Sequence, residues 1–333
     1  MRRLAVVGSG AWGTALAVAL RRASDAAVVL WAHRPEVAAR INAEHCNPDY
    51  LPDCPLDPAI RADSAPAAIA GAEAVLLVVP AQFLRGVLER LAPHWPDGAP
   101  AVICAKGIEQ DSGALMTDVV ADALPGVTQA VLSGPTFARE VAAGLPTAVT
   151  LACTDADTGH RLIAAIGSRA FRPYLSDDLI GAEIGGATKN VLAIACGIVV
   201  GRQLGDNARA ALITRGLAEI ARLGAAKGAS PATLMGLAGL GDLTLTCNGP
   251  QSRNMSLGMA LGEGRALADI LAGRRSVAEG VASAPALVAL AGRLGIEMPI
   301  CAAVAGIVDG RLSVDEAIEG LLTRPLRSES DEC

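Results

Sequence analysis

The sequence predicts an α/β fold in its first part, built on a doubly wound sheet, and an all-α fold in its second part. Three features predict this. Short apolar runs alternate with helical stretches up to about residue 186, a glycine-rich turn follows the first run, and long helical patterns come afterwards. We therefore expect a first domain over residues 1–186 and a second over residues 187–333. The charged, turn-rich end, residues 324–333, is expected to fray.

The predicted strands are mostly continuous apolar runs rather than alternating ones. They lie at residues 4–7, 28–32, 75–79, 101–105, 130–132 and 148–151. Continuous runs are typical of parallel strands that helices cover on both faces. Helical stretches between them, such as residues 83–91 and 115–124, give the β-α-β-α order of a doubly wound sheet.

The second half contains long helical patterns. In residues 207–227, for example, Ile213, Leu217 and Ile220 lie on one helical face. The other helices are expected at residues 189–200, 253–261, 267–271, 284–294 and 314–322. This half is therefore predicted to be all-α.

Length and charge limit the classes of function. A chain of 333 residues is long enough for two domains. Its net charge of −6 and isoelectric point near 5.3 argue against a nucleic-acid partner, which usually meets a basic surface. Scattered apolar surface on the helical half favours a homodimer.

Cysteine, histidine and apolar patterns predict no metal site and no membrane span. The eight cysteines form no C-x-x-C pair, and Cys104 and Cys196 lie in apolar runs, which favours buried free thiols. The four histidines show no ligand spacing. The longest apolar stretch, around residues 191–200, is far shorter than the ~20 residues of a span. Without a secretory signal pattern before the first strand, we expect a cytoplasmic protein.

The most informative motif is the turn Gly8-Ser9-Gly10-Ala11-Trp12-Gly13, a G-x-G-x-x-G pattern between a strand and a helix. Gly8 permits the sharp turn, Gly10 lets backbone N–H groups approach a pyrophosphate, and Gly13 lets the helix pack on the strand. An anionic ligand would then lie at the positive end of the helix dipole. The motif predicts a Rossmann-type dinucleotide site.

The end of the second strand predicts which dinucleotide binds. An acidic residue there would bind the ribose 2′-hydroxyl of NAD, but the chain has His33 and Arg34, which can face a 2′-phosphate. Glu36 follows a proline and is expected to open the next helix. A solvated strand end explains His33 alone equally well, but it explains the pair less well. We expect NADP(H) to be preferred and leave NAD(H) use open.

Polar residues follow other apolar segments. Lys106 follows the fourth strand, and residues 133–138 follow the fifth. Lys189 starts an apolar helix near the domain junction, where it could be a surface lysine or a desolvated one with a lowered pKa. Asp242 lies in so apolar a segment that it needs a partner, for which Lys189 is the candidate. Arg253 at a predicted helix start suits a phosphate.

Seven strings in this order resemble the NAD(P)-dependent glycerol-3-phosphate dehydrogenases of the bacterial type over almost the whole chain. They are Gly8 to Leu16, Lys106-Gly107, Ser133 to Ala138, Thr188-Lys189-Asn190, Gly241-Asp242-Leu243, Ser252-Arg253-Asn254 and Glu279-Gly280. The resemblance implies reversible reduction of dihydroxyacetone phosphate to sn-glycerol 3-phosphate, which supplies glycerophospholipid synthesis. Ala11 departs from the hydroxyl residue of many relatives, and Ala278 from a bulkier apolar one.

The resemblance also implies roles for residues. Lys189 would be the catalytic residue that exchanges a proton with the carbinol oxygen. The residues that would hold the small phosphorylated substrate are Lys106, Gly134, Thr136, Lys189, Asn190, Asp242, Thr246, Ser252, Arg253 and Asn254. The residues that would contact the cofactor, besides Gly8, Gly10 and Gly13, are Trp12, His33, Arg34, Tyr50, Lys106, Ala138, Arg253, Val277 and Glu279.

Two other classes of protein remain open at this point. Another two-domain dehydrogenase, of the 3-hydroxyacid or 6-phosphogluconate type, also uses a helix lysine, although the strings at residues 134–137 and 252–254 favour the glycerol-3-phosphate type. A non-catalytic dinucleotide sensor would keep the glycines but would not need Lys189, Asp242 and Arg253 together. Consumption of reduced nicotinamide with dihydroxyacetone phosphate separates an enzyme from a sensor.

Overall fold

The computed structural model describes residues 1–249, 251–273, 278–325 and 328. Two compact units divide the chain: the first comprises Met1–Ala105 and Met116–Leu179, and the second comprises Lys106–Leu115 and the chain from Ile180 onwards. The boundary predicted between residues 186 and 187 falls inside one helix, Leu179–Gly201. Much of the tail that we expect to fray, residues 326, 327 and 329–333, lies outside the described residues.

The first unit contains all the strands of the main sheet. The ten strands of the described chain are β1 (Arg3–Val7), β2 (Ala27–Trp31), β3 (Cys46–Asn47), β4 (Leu51–Pro55), β5 (Ile60–Asp63), β6 (Ala74–Leu77), β7 (Ala101–Ile103), β8 (Gln129–Ser133), β9 (Thr147–Cys153) and β10 (Phe171–Ser176). Eight of them form one sheet in the order β10-β9-β8-β7-β6-β1-β2-β5, and β3 pairs with β4. The chain leaves β1 toward β2 on one side and returns to β6 on the other, so the strand order reverses at β1. Ligands of doubly wound sheets bind at such a reversal.

The doubly wound sheet predicted from the sequence is confirmed, and all six predicted strands are present. Two further strands of the main sheet, β5 and β10, were missed. Both are edge strands, and only one side of each is covered by another strand. β5 alternates buried and exposed residues, and β10 contains Pro173, which is tolerated at an edge. Neither therefore has the continuous apolar run used to find the others.

One pair of strands is antiparallel, contrary to the expectation from their apolar sequences. β8 and β9 run in opposite directions, whereas β9 and β10 run parallel, as do the remaining neighbours in the sheet. The β9 residues from Val149 to Cys153 are all buried. A continuous apolar run therefore indicates that both faces of a strand are covered, but it does not indicate the strand's direction.

Helices flank the sheet and form the second unit. The first unit contains α1 (Ala11–Ala23), α2 (Pro35–Glu44), α3 (Leu84–Leu91), α4 (Met116–Ala123), α5 (Ala138–Ala143) and α6 (Ala156–Ile166). The second contains α7 (Leu179–Gly201), α8 (Asp206–Lys227), α9 (Pro231–Leu234), α10 (Asp242–Asn248), α11 (Arg253–Gly262), α12 (Leu267–Ala272), α13 (Glu279–Arg293), α14 (Pro299–Val308) and α15 (Val314–Leu322). A π-helical turn, Leu237–Gly241, precedes α10. The all-α second half is confirmed.

Helix α7 begins ten residues earlier than predicted, and every residue from Gly181 to Val199 is buried. Among the described helices it is long and apolar enough to cross a membrane by length and composition, with a mean hydropathy of 1.6. The sequence interpretation, based on the apolar run at residues 191–200, underestimated its length because glycines and polar residues interrupt the pattern upstream. Since 89% of that hydropathy window is buried inside the protein, α7 has the character of a core helix.

Glycines set the packing of α7 against α11. Gly197 and Gly201 on α7 face Gly258 and Gly262 on α11. A Cβ atom at Gly258 would overlap the Ile194 carbonyl oxygen, and a Cβ at Gly197 would overlap that of Met255. The two backbones are therefore in direct contact, which only residues without side chains allow.

This contact predicts the effect of adding one methyl group. Gly258→Ala should lower the free energy of unfolding by about 1–3 kcal/mol, because the backbones must separate to accept the Cβ atom. Denaturant unfolding followed by circular dichroism measures the change. The matched control is Gly292→Ala in α13, where a Cβ atom meets nothing within 4 Å. That change should be neutral or slightly stabilising, because alanine favours a helix over glycine. Equal losses in both variants would contradict the close contact.

Candidate active site

The glycine turn joins β1 to α1 in the first unit. Gly8 has a φ of +117°, and a Cβ atom there would lie 2.7 Å from the Val78 carbonyl oxygen. A Cβ at Gly13 would overlap the Gly8 carbonyl oxygen, whereas one at Gly10 would meet nothing within 4 Å. Helix α1 has Gly10 as its N-cap, with no side chain capping its first N–H groups. The open space at Gly10 beside these N–H groups fits a pyrophosphate.

Two further side chains lie at this turn, one from β3 and one from the turn itself. The buried Asn47 amide donates to the Ser9 carbonyl oxygen at 2.8 Å and to Thr14 Oγ1 at 2.7 Å. Asn47 thereby ties the turn to the first turn of α1, and sequence reasoning missed it because it lies 38 residues away from Ser9. Trp12 Nε1, inside the same turn, is buried without a hydrogen-bond partner in the described part of the chain.

A cluster of basic residues lies after β2. His33 and Arg34 are exposed, and Arg34 is the N-cap residue of α2. Glu36 lies in the first turn of α2, as expected, and its Oε1 lies 3.7 Å from Arg34 Nε. Arg90, at the end of α3, approaches His33 with Nη1 2.9 Å from Nδ1. The sequence interpretation missed Arg90, because only the tertiary fold brings it to His33.

The other predicted residues of the first unit lie in loops and helix starts. Tyr50 is half-buried in the turn before β4, and its N–H donates to the Asn47 carbonyl oxygen at 3.3 Å. Gly134 directly follows β8, and Thr136 Oγ1 donates to the Gly134 carbonyl oxygen at 3.2 Å. Ala138 begins α5. Gly134, Thr136 and Ala138 therefore follow the carboxyl end of β8, whereas Tyr50 lies between the two strands of the small β3–β4 sheet.

The second unit brings three predicted residues together around one buried carboxylate. Asp242 is fully buried, Lys189 Nζ contacts its Oδ1, and Lys106 Nζ donates to its Oδ2 at 2.7 Å. The predicted partnership of Lys189 and Asp242 is therefore present, with Lys106 as a second cation. Thr246 Oγ1 donates to the Asp242 carbonyl oxygen at 2.6 Å. The cluster is net cationic when both lysines are protonated.

The pKa of Lys189 is lowered from its usual value to about 8. The main cause is burial, which disfavours the charged amine; Asp242 raises the pKa and the nearby Lys106 lowers it. Desolvation, the cause that the sequence offers for a lowered pKa of Lys189, therefore has the largest effect. A lysine with this pKa can give and take a proton near neutral pH.

The π-helical turn positions Asp242 against Lys189. The turn packs on α7 at Gly185, where a Cβ atom would overlap the Ala238 carbonyl oxygen. Gly185 lies one helical turn before Lys189, so the close contact brings the start of α10 beside the lysine. π-helical turns often occur at functional sites.

A second chain of hydrogen bonds connects three helices next to this cluster. Asn190 donates to the Lys106 carbonyl oxygen at 3.3 Å and accepts from Asn254 Nδ2 at 2.9 Å. Asn254 Oδ1 accepts from the Gly280 N–H at 3.0 Å. Both asparagines are buried. They therefore hold Lys106, α11 and α13 in register around Lys189.

The remaining predicted residues lie at helix starts. Ser252 caps α11 by accepting from the Met255 N–H at 3.2 Å, and Arg253 is the exposed first residue of that helix. Glu279 begins α13 and is half-buried. Val277 lies outside the described residues.

Lysine usage is a signal that the sequence interpretation did not use. The chain has 28 lysine and arginine residues, and only Lys106, Lys189 and Lys227 are lysines. Two of these three contact Asp242. Arginine stays protonated at any physiological pH, whereas lysine can lose its proton when buried. The choice of lysine here therefore indicates proton chemistry.

The seven cysteines of the described ranges are free thiols. Cys104 and Cys196 are buried free thiols, as predicted. Within the described ranges, no three His, Cys, Asp or Glu side chains are grouped so that they could hold a metal ion.

The Rossmann-type glycine turn and the buried lysine of the helical unit together define a class, the nicotinamide-dependent oxidoreductases that act on a CH–OH group. Family models refine this class. The N-terminal model of NAD-dependent glycerol-3-phosphate dehydrogenase matches residues 3–159, and the C-terminal model matches residues 178–319. The chain belongs to the NAD-dependent glycerol-3-phosphate dehydrogenase family.

Individual relatives agree with this membership. A glycerol-3-phosphate dehydrogenase [NAD(P)+] of Rhodospirillum rubrum is 63% identical over 98% of this chain and 93% of its own length. One of Parvibaculum lavamentivorans is 59% identical over 99% of this chain and 98% of its own length. The crystal structure of glycerol-3-phosphate dehydrogenase from Coxiella burnetii matches with a TM-score of 0.93 at 41% identity, over 97% and 99% of the two chains.

The buried carboxylate predicts a large effect on stability. Asp242→Asn leaves two lysines without their counter-charge, so the free energy of unfolding at pH 7 should fall by about 3–5 kcal/mol. Adding Lys189→Met to the variant should recover part of that loss, because one uncompensated charge is removed. Denaturant unfolding of both variants measures the difference.

The matched control is Asp315→Asn. Asp315 pairs with Arg202 at 2.7 Å, but its side chain is 78% exposed. Removing that carboxylate should cost below about 1 kcal/mol. If the two single variants lose equal stability, Asp242 does not compensate a buried charge.

Proposed function

We propose that the chain catalyses the reversible reduction of dihydroxyacetone phosphate to sn-glycerol 3-phosphate, with Lys189 as the catalytic acid and base. The observation that carries this proposal is the buried Lys189–Asp242 pair, in which the lysine has a pKa of about 8. Family membership supplies the substrate, since the relatives are named glycerol-3-phosphate dehydrogenases.

Cofactor binding is proposed first for the glycine turn and for the basic residues after β2. The glycine turn at Gly8, Gly10 and Gly13 would hold the pyrophosphate of NADP(H) or NAD(H) on the N–H groups of α1. His33 and Arg34 would hold the ribose end, and the positive charge of Arg34 supports a preference for NADP(H). When bound, the nicotinamide ring supplies or accepts the hydride. The further proposed contacts are Trp12, Tyr50, Lys106, Ala138, Arg253, Val277 and Glu279.

Lys189 would move the proton. In the direction of reduction, protonated Nζ donates to the carbonyl oxygen, which becomes the hydroxyl of the product. In the direction of oxidation, the neutral amine takes that proton back. Asp242 fixes the position of Nζ and stabilises its protonated form, while the net positive charge of the cluster with Lys106 favours negative charge developing on the oxygen.

Substrate positioning is proposed for the polar residues around this cluster. Arg253, with the N–H groups at the start of α11, would hold the substrate phosphate, and Ser252 and Asn254 shape that helix start. Binding energy from the phosphate would orient the carbonyl carbon for hydride transfer. The other proposed substrate residues are Lys106, Gly134, Thr136, Asn190, Asp242 and Thr246.

The cellular setting is also a proposal. The product is the backbone of glycerophospholipids, so we infer a role in supplying their synthesis in the cytoplasm. Negative net charge supports small-molecule partners rather than nucleic acid. A homodimer is proposed from apolar side chains exposed on the helical half, such as Leu204 and Met235.

An assay with both cofactors tests the reaction. Purified protein should oxidise NADPH, seen as loss of its near-ultraviolet absorbance, when dihydroxyacetone phosphate is added. Lys189→Ala should lower kcat by about 100-fold or more, because proton transfer contributes that much, while cofactor affinity stays nearly constant. Lys227→Ala, at the end of α8, is the matched control and should keep its kcat. No turnover with either NADPH or NADH would refute the proposal, and retained turnover in Lys189→Ala would refute the role of Lys189.

Lys189 also predicts opposite pH profiles for the two directions. Reduction needs the protonated amine, so its kcat should fall as pH rises through about 8. Oxidation needs the neutral amine, so its kcat should rise through the same range. Because Asp242 raises the pKa of Lys189, Asp242→Asn should move the inflection to lower pH. Steady-state rates across pH measure both effects, and an inflection that stays in place would show that another group titrates.

A further inference from the structure

Arg90 is held in a defined position in the cluster of basic residues after β2. Its guanidinium carbon lies 5.5 Å from the centre of the Trp31 ring, in a cation–π contact. Trp31 is fully buried and ends β2, so this ring is a rigid support. His33 packs edge-to-face on the same ring, with 6.1 Å between ring centres. Arg90 and His33 are therefore held in place together although both are exposed.

The contact between Arg90 and His33 defines the state of the imidazole. All guanidinium nitrogens of arginine are donors, so His33 Nδ1, 2.9 Å from Arg90 Nη1, must be the acceptor. The neutral imidazole then carries its hydrogen on Nε2. The contact with Arg90 therefore leaves the Nε2–H of His33 as a hydrogen-bond donor, and an anion can accept from it.

The charge of Arg90 is not neutralised by a carboxylate among the described residues. Arg85, on the same helix, has such a partner, since its Nη2 lies 3.2 Å from Asp122 Oδ2. Arg90 instead contacts a neutral imidazole and an indole ring. Only one of its five N–H donors is used by His33, so the remaining donors and the full positive charge are available to a ligand.

We propose that Arg90 is a specificity-determining residue that binds the adenosine 2′-phosphate of NADP(H). This inference rests on the proposed function and adds a second cation to Arg34, beside the Nε2 donor of the neutral His33. In doubly wound folds the end of the second strand meets the adenosine ribose. The planar guanidinium suits two phosphate oxygens at once. NAD(H), which lacks the 2′-phosphate, gains nothing from this contact.

Direct binding of nucleotide fragments tests the proposal without turnover. Calorimetric titration with adenosine 2′,5′-diphosphate and with adenosine 5′-monophosphate, at one fixed ionic strength, compares ligands that differ only in the 2′-phosphate. Arg90→Ala should lose about 10-fold more affinity for the 2′,5′-diphosphate than for the 5′-monophosphate, as expected for one charge-assisted contact. Arg85→Ala is the matched control from the same helix, and it should change neither affinity.

The outcomes separate the alternatives. Equal losses of affinity for both fragments in Arg90→Ala would mean that the side chain packs on the adenine or supports the fold. No loss of affinity would mean that it does not contact the nucleotide. Either result overturns the proposal. With the whole enzyme, the ratio of kcat/KM for NADPH to that for NADH should fall by the same factor. Failure of the wild type to reduce dihydroxyacetone phosphate would refute the proposed function, whereas the fragment titrations would still test Arg90.

Discussion

Close backbone packing around helix α7 is the constraint on which the helical unit depends. Nineteen consecutive residues of this helix, from Gly181 to Val199, are buried, so neighbouring segments must approach it from all sides. Gly185 admits the π-helical turn, and Gly197 and Gly258 admit direct contact with α11. These contacts carry Asp242 and Asn254 to Lys189 and Asn190. The cluster around Asp242 therefore depends on close backbone contacts that glycines allow.

Burial then determines the chemistry of the cluster. Removing Lys189 from water disfavours its charge, and the carboxylate of Asp242 restores enough stability for the amine to keep its proton up to a pH of about 8. Without Asp242 the site would hold two repelling cations, and without burial Lys189 would be an ordinary surface lysine. The same interactions that complete the core thus bring the pKa of Lys189 into the pH range in which cells work.

Local patterns predicted those parts of the fold and site whose causes are local. Buried strands such as β1 and β6 have continuous apolar runs, and the glycine turn at Gly8 has its own spacing, so both could be found. The edge strands β5 and β10 were missed because they are partly exposed, and the antiparallel pairing of β9 was missed because burial does not encode direction. Arg90 and Asn47 were missed because each acts on residues far away in the sequence.

The sequence by itself determined the class of fold, the dinucleotide turn and the residue types of the cluster, since each depends on neighbouring residues. The sequence also carries a signal for proton chemistry that its interpretation did not use, since lysine appears at only three positions in a chain otherwise rich in arginine. Only the tertiary structure decided that Lys106 and Lys189 share one carboxylate, and that Arg90 joins His33 on the ring of Trp31. The physical reason is that contacts between distant segments depend on how helices and strands pack, which a local pattern does not specify.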